Sequence, residues 1–110
     1  MRFTYAIKYV GDMDQAVRFH RDTLGLPLKF QTPGWSEFAT GEVTLALHEA
    51  TAENPAGSVE LGFGVDDVPK TYAERATNGL SFDGAPRELH GMKLATFRDS
   101  DGAACSLSSS

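Results

Sequence analysis

Three histidines, one cysteine and one tryptophan are the scarce residues of this 110-residue chain that could carry chemistry. Cys105 lies among small residues with no base beside it, so it reads as a buried, inert thiol rather than a nucleophile. Asp99, Asp101 and Gly102 supply too few oxygens for a twelve-residue calcium loop and read as a turn. Trp35, directly after Pro33-Gly34, is the aromatic best placed to face a ligand. Phe38 joins it as a ligand-facing candidate and Tyr9 adds aromatic surface, while Phe63 and Tyr72 are assigned to the core. Strand alternation puts Thr44, Ala46 and His48 on one face. His48, at the end of that run, and His90, beside Gly91, read first as rim histidines in water.

These residues must be positioned by a short list of elements. Residues 3–10 are rich in aromatic and β-branched types and predict a strand. Asp12 then caps a helix, with Gln15 three positions on as the other half of a capping box. Ala16, Val17, Phe19 and Leu24 form its apolar stripe, and Arg18, Arg21 and Asp22 face outward. Gly25 ends it in a left-handed conformation. Strands are predicted at 26–31, 35–40 and 43–48, with turns at 32–34 and 41–42. Residues 49–58, holding Asn54-Pro55-Ala56-Gly57, read as a flexible linker.

The order then recurs. A strand at 59–65 puts Val59, Leu61, Phe63 and Val65 on one face and Glu60, Gly62 and Gly64 on the other. Asp66 or Asp67 caps a second helix that tolerates Pro69 in its first turn, and Asn78-Gly79 stops it. Strands follow at 80–82, at 89–97 with an interruption at Gly91, and at 103–108. Val10-x-Asp12 matches Val65-x-Asp67 at a spacing of 55, and Gly25-Leu26 matches Gly79-Leu80 at 54. The chain therefore reads as one α+β domain over 1–110, made of tandem βαβββ units at about 1–50 and 57–110. Their sheets form half-barrels around a concave cavity, with the helices outside.

Composition narrows the function classes. With 41% hydrophobic and 23% charged residues the chain can build a core without staples. A net charge of −5, with no basic cluster, argues against nucleic acid and anionic membrane surfaces as partners. No stretch approaches the ~20 apolar residues that span a bilayer, and a lone cysteine fits a reducing compartment. A cytoplasmic protein is expected.

Tyr9-Val10-Gly11-Asp12-Met13, Ala16-Val17-x-Phe19, Leu24-Gly25-Leu26, Val65-x-Asp67-Val68 and Phe97-Arg98-Asp99-Ser100-Asp101-Gly102 resemble, in order and over nearly the whole chain, the vicinal oxygen chelate superfamily. That group includes glyoxalase I, bleomycin-resistance and fosfomycin-resistance proteins and extradiol dioxygenases. His20 and Ser100 depart from it locally, standing where tyrosine and proline are usual. The resemblance implies four inward positions that hold a divalent cation in metal-using members. Here they carry Tyr5, Thr44 or Leu45 according to register, Glu60 and Ser106, of which only Glu60 is a ligand of the required kind. The resemblance thus implies no metal and no cofactor. It favours a homodimer that binds or sequesters a small, partly aromatic compound against Tyr5, Trp35, Phe38, Ala46, His48, Glu60, His90 and Ser106. The alternative is a glyoxalase-like lyase or isomerase. It would use a relocated metal site at His48, Glu60 and His90, or metal-free acid–base chemistry by Glu60 and Tyr5.

Overall fold

In a computed structural model describing residues Met1–Ser110, the chain forms nine strands and three short α-helices. It divides into two compact units: Thr4–Val59, and Glu60–Ser110 together with Met1–Phe3.

The first unit contains β1 (Arg2–Val10), α1 (Met13–Arg18), β2 (Leu28–Phe30), β3 (Trp35–Phe38) and β4 (Thr44–Glu49), its strands ordered β2-β3-β4-β1. β3 runs antiparallel to β4, and β4 lies parallel to β1 because the helix crosses over between them. Asp12 is extended, and its Oδ1 accepts from the Gln15 amide at 3.0 Å, the forward half of the expected box. Val10, Val17, Phe38 and Leu47 make the core beneath the helix.

The helix does not continue as the apolar spacing predicted. Residues Phe19–Thr23 form a π-turn, closed by the Leu24 amide on the Phe19 carbonyl at 3.1 Å. Ordinary helical spacing from Ala16 and Val17 points His20 inward and Phe19 aside, and the wider winding then displaces Leu24. Phe19 and Leu24, expected inward, are exposed, and His20 is buried in their place. Its Nδ1 donates to the Ala16 carbonyl at 2.7 Å, and its ring lies 5.7 Å from Phe38. Gly25 then takes φ +73°.

The segment expected to be a flexible linker is tied down. Gly57 and Ser58 bond both backbone groups of Tyr9 at 2.8 and 2.9 Å, and Ala50 bonds the Val10 carbonyl at 2.9 Å. The 49–58 stretch therefore closes the end of β1 instead of swinging free.

The second unit holds β5 (Val59–Gly64), α2 (Val68–Ala73), α3 (Arg75–Asn78), β6 (Ser81–Phe82), β7 (Arg87–Leu89), β8 (Met92–Arg98) and β9 (Ala104–Ser109). Its order is β5-β9-β8-β6, and β5 lies parallel to β9, repeating the first unit's pattern. Asp67 caps α2 as Asp12 caps α1, accepting from the Lys70 amide at 3.1 Å, and Gly79 is left-handed like Gly25. The addition is β7. His90-Gly91 is not an interruption within a strand but the turn of a β7–β8 hairpin, with both residues at positive φ. Val68, Ala95, Phe97, Cys105 and Leu107 form this unit's core.

Candidate ligand-binding face

Strand parity sorts the chemistry of the first unit. In β3, Ser36 and Phe38 point to the helix side; Trp35 and Glu37 point to the other. The register then builds rows across that other face. Trp35 pairs with His48, which pairs with Tyr9; Glu37 pairs with Ala46, which pairs with Ile7; and Thr44 pairs with Tyr5. Ile7, Tyr9 and Ala46 are buried there, with Tyr5 and Trp35 packed on them. His48 lies 4.8 Å from Tyr9 with the rings tilted at 46° and meets Trp35 edge-on at 5.8 Å, and Tyr5 meets Trp35 edge-on at 5.9 Å. Four rings thus share one sheet face above the small, fully buried Ala46.

Among the rings lies a carboxylate. Glu37 is only 8% exposed, a burial that an acidic side chain tolerates only with partners. Trp35 Nε1 donates to its Oε2 at 2.8 Å, and the Tyr5 hydroxyl approaches the same oxygen at 3.5 Å. Lys29 Nζ stands 3.9 Å from Oε1 and is itself well exposed. The Tyr5 phenol is raised above its ordinary value, first by burial and then by the charge and hydrogen bond of Glu37. At neutral pH it is a hydrogen-bond donor and not a base. His48 Nδ1 donates to the Glu49 carbonyl at 2.6 Å, which fixes the ring.

The expected site residues are therefore distributed as follows. Tyr5, Trp35, Ala46 and His48 come together on the first unit's aromatic face. Phe38 does not: it is fully buried on the opposite side against Val17 and Leu47, and its role is core. Glu60 and Ser106 belong to the second unit, where the pairing of Gly62 with Ser106, and of Ser106 with Thr96, puts them on a shared sheet face. Asp83 first, through its hydrogen bond and charge, and Glu60 further down, raise the Arg98 guanidinium. His90 lies on the exposed β7–β8 turn. Tyr5, expected to work with Glu60, gives its hydroxyl to Glu37. Glu37 was absent from the expected set, although its position two residues after Trp35 in a strand marks it for the same face. The Cys105 thiol is pushed up by burial and then by Asp99 and Glu60, so it stays protonated.

Of the two alternatives left open by the resemblance, Thr44 and not Leu45 pairs with Tyr5. A phenol, a hydroxyl on Thr44, a hydroxyl on Ser106 and one carboxylate do not fit a divalent cation's needs. Nowhere does the structure gather three or more His, Cys, Asp or Glu side chains able to hold a metal, and this includes His48, Glu60 and His90. A separate open cleft of about 500 Å³ lies between the start of α1 and the β2–β3 turn, lined by Asp12, Met13, Asp14, Gln31, Thr32 and Pro33. It lies off the aromatic face and contains no ring but proline.

Comparison with known proteins agrees with the architecture. YraH of Bacillus subtilis (strain 168), an uncharacterized protein, is 31% identical, covering 84% of this chain and 85% of that one. Methylmalonyl-CoA epimerase of Streptomyces coelicolor, solved with 2-nitronate-propionyl-CoA, superposes with a TM-score of 0.79 at 21% identity, over 100% of this chain and 94% of that one. A glyoxalase/bleomycin resistance protein/dioxygenase superfamily member from Vibrio splendidus 12B01 gives 0.74 at 20% identity, over the whole of both chains. The family model for the Glyoxalase/Bleomycin resistance protein/Dioxygenase superfamily matches residues 2–107. With that model matching nearly its whole length, the chain belongs to that superfamily.

Proposed function

We propose that this protein binds a small, flat, partly aromatic molecule and holds it without converting it. The observation that carries this reading is the aromatic face itself: Tyr5, Tyr9, Trp35 and His48 on three neighbouring strands, packed around Ala46. Edge and stacking contacts with such rings suit a planar ligand. Turnover is disfavoured by the state of the polar groups. Tyr5 keeps its proton more firmly than an ordinary phenol, and the Glu37 carboxylate already accepts the Trp35 indole N–H. The likeness to methylmalonyl-CoA epimerase extends to the fold, while epimerisation requires a base free to take a proton from carbon.

The test uses Trp35, the chain's only tryptophan. A library of planar compounds should include members that quench or shift its fluorescence in a saturable way and raise the melting temperature together. If every compound that raises the melting temperature leaves Trp35 unchanged, the ligand lies elsewhere and the reading fails.

The same proposal includes a symmetric homodimer. Phe3 and Leu61 in the second unit and Phe19 and Leu24 in the first remain between 42% and 52% exposed, apolar surface available to a second copy. Sedimentation showing only an 11.9 kDa species at micromolar concentration would exclude it.

A further inference from the structure

Resting on the binding reading above, we propose that the ligand is an aromatic or heteroaromatic cation, selected by Glu37 as its countercharge. The rings provide the flat surface, and their faces are themselves attractive to positive charge. Glu37 provides the discrimination. It is the one carboxylate sunk among these rings, and both of its hydrogen-bond donors, the Trp35 indole and the Tyr5 hydroxyl, are neutral. Neutral donors orient the carboxylate without cancelling its charge. Its one ion-pair partner, Lys29, is loose at 3.9 Å and solvated, so an incoming cation can displace it. A ligand with a positive nitrogen on a ring would replace that distant ammonium by a nearer one in a drier setting, where a charge pair counts for more. An anionic ligand of the same shape would meet repulsion. The chain's net charge of −5 favours the same sign at longer range.

Three probes of one shape test the idea: 1-naphthylmethylamine, 1-naphthalenemethanol and 1-naphthoate, which are cationic, neutral and anionic at pH 7. Binding is read from the indole N–H resonance of Trp35 in a ¹⁵N-labelled sample. The ammonium should bind at least tenfold more tightly than the alcohol, and the carboxylate least. Glu37→Gln keeps an acceptor for the Trp35 indole and should equalise amine and alcohol. Lys29→Ala, on an exposed side chain, should widen the preference for the amine, and it reports even where Glu37→Gln folds poorly. Equal affinity for all three probes, or a preference that survives Glu37→Gln, overturns the charge selection while leaving a neutral aromatic binder. No movement of Trp35 with any probe overturns both.

Discussion

Replacing Phe38 by alanine separates a core role from a ligand-contact role. Its side chain is fully buried among Val10, Val17 and Leu47, with the His20 ring 5.7 Å away, so no solvent or ligand reaches it. Truncation removes the ring's transfer energy and leaves a cavity that α1 and β4 can only partly fill. The expected cost is about 3–5 kcal/mol, the usual range for a buried Phe→Ala change. A domain of this size has roughly 5–15 kcal/mol in total, so the variant should sit close to its folding threshold. With a urea slope of about 1–3 kcal/mol/M for small proteins, the midpoint should fall by roughly 2 M. Chemical denaturation followed by far-UV circular dichroism measures this directly. Phe38→Leu should lose less and keep the Trp35 response to ligand. A midpoint shift below about 0.5 M combined with lost binding would place Phe38 at the ligand and refute the assignment of faces in β3.

Gly25→Ala should cost about 1 kcal/mol, because at φ +73° the added Cβ meets no neighbour and the strain is purely in the backbone. Coincident urea melts of the two proteins would show that the glycine is not left-handed. For Tyr5, a phenol raised above 10.0 stabilises the fold fully below that pH, and this contribution is lost as pH rises through the folded value. Tyrosine ring-carbon NMR should show Glu37→Gln lowering the Tyr5 midpoint while leaving it above 10.0, since burial is the largest cause. A midpoint unmoved by that change would deny the contact. In a thermal-shift series, zinc, nickel, manganese and cobalt should each leave the melting temperature unchanged, because the donors at Tyr5, Thr44 and Ser106 are phenol and hydroxyls; a stoichiometric stabilisation by any of them would reverse this.

Much of the fold could be read from residues whose effects are local. Asp12 and Asp67 cap helices through their own side chains, and Gly25 and Gly79 take φ values that other residues avoid, so four positions exposed the duplication. Strand alternation put Val59, Leu61 and Phe63 on one face of β5, yet Val59 and Leu61 are exposed while Gly62 and Gly64 on the other face are buried. The site was harder, because it depends on which face of a strand is covered and by what. Trp35 and Phe38 are three apart in an extended strand and cannot point the same way, so naming both as ligand contacts overlooked the parity that would have chosen Glu37. His20 and Phe19 exchanged places because ordinary helical spacing from Ala16 and Val17 points His20 inward and Phe19 aside, while Leu24 lies beyond a π-turn that no side-chain pattern announces. The β7–β8 hairpin escaped because residues 83–91 carry little apolar alternation, and the strand is fully exposed.

That π-turn gives the chain a place where its length can change. A π-turn spends one more residue than an α-turn to cover the same arc. Removing a single residue among Arg21, Asp22 and Thr23, all exposed, would let the segment rewind as ordinary α-helix and still deliver the chain to Gly25. Inserting one there has no such outlet, since the slack is already taken up. Length variation among kindred sequences should therefore be one-sided at this point, with shorter versions that lack the bulge and few longer ones.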